Sequence, residues 1–334
     1  MSTTGFYLEA GILTLIAIVA LTGNVSLYLI VFRSRSLQKN SNYFTLNLAL
    51  ADILVSLVNM PVTVYTIIQN QWTLGEVACQ ALGFVNILSF ISSVLSLALI
   101  AINRLFFVVY WKDYKRYFRP RRVKFYIFLT WLIALLLSMP PLLGWASFGY
   151  VPGKSYCFVI WRENASFAYF MVLVCFFGPL ITMGFCYSRI LWFTKNAKRK
   201  IQNEMSKSTR NCIFRNVSPE ESRITNTLLI VLGAFIACWL PFAITMFLDI
   251  YYPHRLPRWI DMGSLMLGYI NSLCNPIIYS VRNTQFRKAF MELYALCGIK
   301  WFKRNRAAVV DSSARQETEE SSVNRRQSKL QEVA

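Results

Sequence analysis

Residues 43–68 read YFTLNLALADILVSLVNMPVTVYTII, 26 residues that carry one charge, Asp52. About 20 mostly apolar residues suffice to cross the hydrocarbon layer of a bilayer as a helix. A carboxylate in such a run is costly, and intramembrane ionisable residues are functional by default. The stretch therefore predicts a membrane-spanning helix with a polar function at mid-depth.

Six further runs of this kind flank it, over residues 8–32, 79–110, 123–143, 166–193, 224–252 and 259–281. The last is the most polar, with Gly263, Ser264, Gly268, Asn271, Ser272 and Asn275. Seven spans predict an all-α membrane protein, a seven-helix bundle. Residues 1–7 are a short outer segment and 8–281 the bundle. Residues 282–297 form an amphipathic helix on the inner membrane surface, with Phe286, Phe290, Leu293 and Tyr294 on one face and Arg287 and Lys288 on the other. Residues 298–334, rich in Ser, Glu, Gln and Arg, predict a disordered tail. The first seven residues lack a basic leader and the first apolar run exceeds a signal-peptide core, so that run reads as a helix that stays.

Composition agrees with this reading. The 334 residues are 55% hydrophobic and 15% charged, the mean hydropathy is +0.42, and the net charge is +19. Ordinary soluble domains carry about 25% charged residues. Such a basic chain invites a nucleic-acid reading, but the charge is segregated. The loops alternate between few and many Lys/Arg, so the positive-inside rule places the N-terminus outside and the C-terminus in the cytoplasm. On that topology the outer side has four basic and five acidic residues, and the cytoplasmic side 31 basic and 10 acidic. The excess faces anionic inner-leaflet lipid, and no nucleic-acid partner is implied.

Asp52, Asn24, Ser93, Asn271, Ser272 and Asn275 fall at mid-depth. They suit either a hydrated site for a monovalent cation or hydrogen bonds between helices. Pro179, Pro241 and Pro276 interrupt the last three spans, and each removes a backbone hydrogen bond and kinks its helix. Cys79 and Cys157 both face the oxidising side, where a disulfide would pin the second outer loop to span three. Cys297, at the end of the surface helix, reads either as a palmitoylation site or as an inert thiol. Asn164-Ala165-Ser166 is the one outward sequon. The sequence contains no catalytic constellation, no metal-ligand spacing and no phosphate loop, so an enzyme is not implied.

These residues resemble the rhodopsin-like (class A) G-protein-coupled receptor family over residues 8–297. The resemblance rests on Gly23-Asn24, the Leu-Ala-Leu-Ala run ending at Asp52, Asn103-Arg104-Leu105 and Trp131. It rests further on Pro179 with Tyr187, Phe235 with Cys238-Trp239-Leu240-Pro241, and Asn275-Pro276-Ile277-Ile278-Tyr279 followed by Phe286-Arg287. It implies a Cys79–Cys157 disulfide and an allosteric sodium site from Asp52, Ser93, Asn271, Ser272 and Asn275. It also implies a packing switch of Val94, Pro179 and Phe235, and a rotamer switch at Trp239. Arg104 would pair with Glu221 at rest and swing toward Tyr187 and Tyr279 on activation. Asn103 and Leu105 depart from the family's usual Asp and Tyr, which removes one restraint on Arg104.

The same frame places a ligand pocket among Asn86, Ile87, Phe90, Met171, Cys175, Trp239, Phe242, Ala243, Met246, Leu265 and Tyr269. Asn86 stands where amine receptors carry Asp, so an amine lacks a counter-ion. Tyr269 stands where opsins carry the retinal lysine, so a Schiff base there is excluded. The nearest subgroup likeness is to melatonin-type receptors, through Asn103-Arg104, residues 185–190 (FCYSRI) and residues 255–259 (RLPRW). Two residues depart from it: Pro141 replaces their ligand-binding Asn, and Pro276 replaces an Ala. The implied function is a plasma-membrane receptor for an extracellular small, largely neutral ligand that activates a heterotrimeric G protein. Alternatives are a peptide receptor and, further off, a seven-helix transporter, channel or light-driven pump. Thr318, Ser321 and Ser322 resemble acidic-flanked receptor-kinase sites that recruit arrestin, and Ser328, after Arg325-Arg326-Gln327, resembles a basic-directed kinase site.

Overall fold

The computed structural model describes residues 3–202, 219–252 and 256–296. Seven long helical segments run antiparallel in chain order. Span one is Thr3–Arg33, span two Asn40–Leu54 continued by Met60–Gln69, and span three Gly75–Val108. Span four is Pro120–Ser138, span five Ala165–Phe170 continued by Gly178–Gln202, span six Pro219–Tyr251, and span seven Arg258–Arg282. A short loop helix, Trp111–Tyr117, follows span three, and the surface helix is Thr284–Leu296. Asn283 Oδ1 caps the surface helix by accepting from the backbone N–H groups of Gln285 (3.0 Å) and Phe286 (3.3 Å).

Six of these helices are long and apolar enough to cross a membrane. Span seven, with 25 residues, would reach about 37 Å at 1.5 Å per residue, ample for a bilayer. Its polar residues lower its hydropathy, but Ser264, Asn271, Ser272 and Asn275 are all buried against the other helices. In hydrocarbon the polar side of a span turns inward, and that is what this helix does.

Several boundaries differ from the sequence reading. Span one begins at Thr3, so residues 3–7 belong to the helix and not to a free segment. Span four ends at Ser138, where Pro140 and Pro141 force a short 3₁₀ turn, Pro140–Leu143. Two π-type stretches, Val55–Asn59 in span two and Met171–Phe177 in span five, break the regular period just before Pro61 and Pro179. The proline ring cannot accommodate a regular helical turn ahead of it, and a widened turn absorbs the clash. An antiparallel hairpin, β1 (Phe148–Val151) and β2 (Tyr156–Val159), was not foreseen. It pairs Phe148 with Val159 and Val151 with Tyr156.

Spans one and seven approach closely at a glycine in the interior of span one. A Cβ on Gly23 would stand 2.8 Å from Pro276 Cγ, so spans one and seven touch there without room for a methyl group. Overpacking of this kind costs about 1–3 kcal/mol. Gly23→Val is expected to lower the thermal unfolding temperature of the purified chain. An unchanged transition would show that the two helices part without cost.

Candidate functional site

The hairpin closes one end of the bundle. Tyr156, Cys157, Phe158 and Val159 of β2 are all buried, and a Cys79–Cys157 disulfide fixes the strand to span three. Gly83 of span three makes room for the Phe148 ring. Arg258 ties three segments together. It donates to Glu9 Oε2 at 2.8 Å, to Ser155 Oγ at 2.8 Å and to the Pro152 carbonyl at 2.9 Å, and stacks 4.7 Å from the Phe6 ring. Lys154, buried at the hairpin turn, forms an ion pair with Asp261 of span seven. The Arg162–Asp249 pair is more exposed and holds little by itself.

Beneath β2 lies a small cavity of about 60 Å³. Nine of the residues placed there from sequence line it: Asn86, Phe90, Met171, Trp239, Phe242, Ala243, Met246, Leu265 and Tyr269. Ile87 and Cys175 are buried but do not line it. Ile87 is one residue from Asn86, about 100° around the helix. Cys175 is displaced by the π-type stretch, which brings Met171 and Phe176, five residues apart, to the same wall.

Sequence reasoning missed Tyr156, Phe158 and Trp161, which roof the cavity, and Val172 and Phe176. A signal for the roof was present: two four-residue runs rich in aromatic and β-branched side chains, separated by Pro152-Gly153-Lys154-Ser155. Burial pushes the Tyr156 phenol well above its ordinary pKa, with the Tyr269 phenol and the Asp261 and Asp249 carboxylates adding to the shift. The roof over the cavity is therefore uncharged at neutral pH.

The cavity connects to the core through a chain of rings. Phe242 meets Trp239 at 5.8 Å, Trp239 meets Phe90 at 4.6 Å, Phe90 stacks on Phe235 at 6.5 Å, and Phe235 on Phe176 at 5.8 Å. Val94 and Phe235 are completely buried and Pro179 is buried nearby on span five. Trp239 is thus packed against Phe90, Phe235 and Phe242.

Below the rings, Asn275 Nδ2 donates to Asp52 Oδ2 at 2.8 Å, and Ser272 also hydrogen-bonds this carboxylate. Asn24 Nδ2 donates to the Ser272 carbonyl at 2.8 Å. Ser93 and Asn271 are buried, and the Ser93 hydroxyl has no partner. A carboxylate with neighbouring hydroxyl and amide oxygens is a donor set suited to a hard monovalent cation. Among the described residues, no three His, Cys, Asp or Glu gather as a metal site.

At the end opposite the hairpin, Arg104 lines a second cavity with Lys39, Phe107, Tyr114 and Ile224, its guanidinium 5.8 Å from the Phe107 ring centre. Tyr187 and Tyr279 lie within electrostatic reach of it. Asn103 donates to the Tyr114 hydroxyl of the loop helix at 3.3 Å. The Glu221 side chain, Cys297 and the tail with Thr318, Ser321, Ser322 and Ser328 lie outside the described residues. Asn164 is half-buried, its amide bonded to the Trp145 carbonyl and its Oδ1 accepting from Ser166 Oγ at 2.6 Å.

The sequence model described as "7 transmembrane receptor (rhodopsin family)" matches residues 23–279. The chain is 30% identical to the melatonin receptor type 1B-B of Danio rerio, over 85% of this chain and 80% of that one. It is 29% identical to the melatonin receptor type 1A of Mus musculus, over 88% and 82%. The fold resembles that of squid rhodopsin, with a TM-score of 0.80 at 22% identity over 89% of this chain and 87% of the other.

If Arg258 latches the roof, Arg258→Ala should speed amide hydrogen exchange in residues 148–159 while leaving the mid-depth helices unchanged. Unaltered exchange in the hairpin would show that the disulfide alone holds it.

Proposed function

This chain belongs to the rhodopsin family of seven-transmembrane receptors, and from that premise we propose that it senses an extracellular small, largely neutral ligand and activates a heterotrimeric G protein by outward movement of span six. One observation carries the ligand side: the roofed cavity is lined by aromatic and sulfur-bearing side chains and by no charged one. Burying a charged ligand there would leave it without a counter-ion. A transporter needs a polar path through the bundle, and here the polar residues stop beneath a layer of packed rings.

The relatives include receptors named for melatonin. Pro141 is buried in the turn that ends span four and offers no side-chain hydrogen bond, so melatonin itself is not assigned.

The signalling side is a two-state bundle biased by the ligand. At the cytoplasmic end Asn103 lacks a carboxylate for Arg104, and its amide is engaged with Tyr114 instead. The lysine- and arginine-rich inner face suits anionic lipid and G-protein docking, and the tail suits a receptor kinase and arrestin. The plasma membrane, with the N-terminus outside, is the location this implies.

Reconstituted with a panel of G-protein classes and a small-molecule library, the chain is expected to drive nucleotide exchange on at least one class. Asn103→Asp, which restores a negative partner to Arg104, should lower ligand-free exchange. Ion flux without exchange would contradict the receptor reading, and equal near-zero baselines would contradict the role of Asn103.

The Asp52 cluster is proposed to hold an allosteric sodium ion, with Asp52, Ser93, Asn271, Ser272 and Asn275 supplying oxygen. Thermal stability should then rise in sodium chloride relative to choline chloride, and Asp52→Asn should remove the difference. A sodium effect that survives the substitution would place the ion elsewhere.

A further inference from the structure

Spans six and seven share a contact that neither the ligand cavity nor the Asp52 cluster uses. The Cys238 thiol of span six and the Cys274 thiol of span seven are hydrogen-bonded to each other. The seam around them is tight. A Cβ on Gly268 would stand 3.3 Å from the Trp239 ring, and Thr245 Oγ1 meets Ser264 Oγ at 3.1 Å. Among the described residues the other free cysteines are Cys175 and Cys186, both on span five and both buried. Cys274 differs from them in being only half-buried.

The exposed side of Cys274 faces lipid. Leu267, Cys274 and Val281 recur every seven residues, and Ile277 follows Cys274 by three, so all four share one face of span seven. Leu267, Ile277 and Val281 are exposed, and on a spanning helix that face meets hydrocarbon. The thiol pair therefore lies where the seam between spans six and seven opens toward the acyl chains. A reagent dissolved in the hydrocarbon meets it without passing through the ligand cavity.

A thiol beside a second thiol has chemistry that a lone one lacks. Oxidation of the first to a sulfenic acid is captured by the second as a disulfide. We propose that Cys238 and Cys274 are a redox pair, oxidised by a lipid hydroperoxide to a disulfide that staples span six to span seven. The first sulfur attacks the terminal peroxide oxygen and the O–O bond breaks. That sulfur becomes a sulfenic acid, and the departing alkoxide takes the thiol proton and leaves as the lipid alcohol. The second sulfur then attacks the sulfenic sulfur, the S–S bond forms and the S–O bond breaks. The hydroxide takes the second thiol proton and leaves as water. Two thiols are oxidised by two electrons, and one hydroperoxide is reduced to an alcohol and water.

The staple would sit beside both proline kinks. Cys238 precedes Trp239 and stands three residues before Pro241; Cys274 precedes Pro276 and adjoins Asn275, which holds Asp52. Each kink is a place where the helix lacks a backbone hydrogen bond and bends. Cross-linking there fixes span six against span seven in the arrangement seen here. The consequence for signalling rests on the proposed outward movement of span six; the cross-link itself does not.

The test compares the full chain in two nanodiscs, one containing a phospholipid with a linoleoyl hydroperoxide and one containing the parent lipid, both with a metal chelator. Remaining thiols are blocked with N-ethylmaleimide, and trypsin, which cuts between the two cysteines at Arg255 and Arg258, is used without reductant. Mass spectrometry should find the Cys238 and Cys274 peptides joined, two hydrogens lighter than their sum, in the hydroperoxide nanodiscs only. Nucleotide exchange should fall in proportion to the joined fraction, while Cys274→Ala should keep its exchange through the same treatment. Peptides that stay free, or that carry separate sulfinic acids, overturn the proposal, and the wild type alone decides this. Joined peptides with undiminished exchange overturn the staple. Joined peptides in a chain that drives no exchange with either lipid would fault the receptor reading and leave the redox pair standing.

Discussion

Hydrocarbon cannot hydrogen-bond, and most of this structure follows from that constraint. Every backbone amide within the bilayer must be satisfied by its own segment, so the chain crosses as helices. Side chains obey the same rule and turn their polar groups toward one another. Asn47 shows it in one residue: its amide nitrogen donates to Ser96 Oγ at 2.8 Å, and its oxygen accepts from Trp131 Nε1 at 2.8 Å. Three spans are thereby joined through a single amide. Asn24 with Ser272, Asp52 with Asn275, and Thr63 with Tyr269 repeat the pattern between spans one, two and seven. Interhelical bonds of this type contribute only about 0.6 kcal/mol each on average, so their role is to fix register as much as to add stability.

The hairpin end follows a different logic. The Cys79–Cys157 disulfide, the Arg258 contacts and the Lys154–Asp261 pair hold a short two-stranded sheet that has few neighbours of its own. An isolated hairpin is marginal in water, and it persists here because it is fastened to spans one, three and seven. Its inner strand supplies Tyr156 and Phe158 to the cavity wall, whose lining holds no charged side chain. The Lys154 ammonium lies 5.7 Å from the ring of Phe242, a cavity-lining residue, but no charged side chain lines the cavity itself.

Much of the architecture was legible in the sequence because burial in a membrane leaves long compositional traces. The run at 43–68 and its six companions give the span count, and Asp52 marks the polar centre. Asn86, Trp239 and Tyr269 could be placed because the family resemblance carries their positions over from the motifs on their spans. The hairpin roof was not found, since its strands are four residues long and its burial depends on contacts far away in the chain. The π-type stretches at Val55–Asn59 and Met171–Phe177 were also invisible, because a helical period of 3.6 has no place for them. That is why Cys175 was expected in the pocket and Phe176 was not. Span seven is the converse case: its low hydropathy obscures a span whose polar residues are buried partners of the other helices.

The ring chain from Phe242 through Trp239 and Phe90 to Phe235 leads from the apolar cavity into the core cluster that also holds Tyr187 and Tyr279. The central claim is that this chain of contacts sets the position of span six. Spin labels on the cytoplasmic ends of spans three and six, read as a distance distribution in nanodiscs, test it most directly. The distribution should move outward by several ångströms when nucleotide-free G protein is bound, and Trp239→Ala should change the balance between the two positions. A single unchanged distance in both proteins, with and without G protein, would contradict the account.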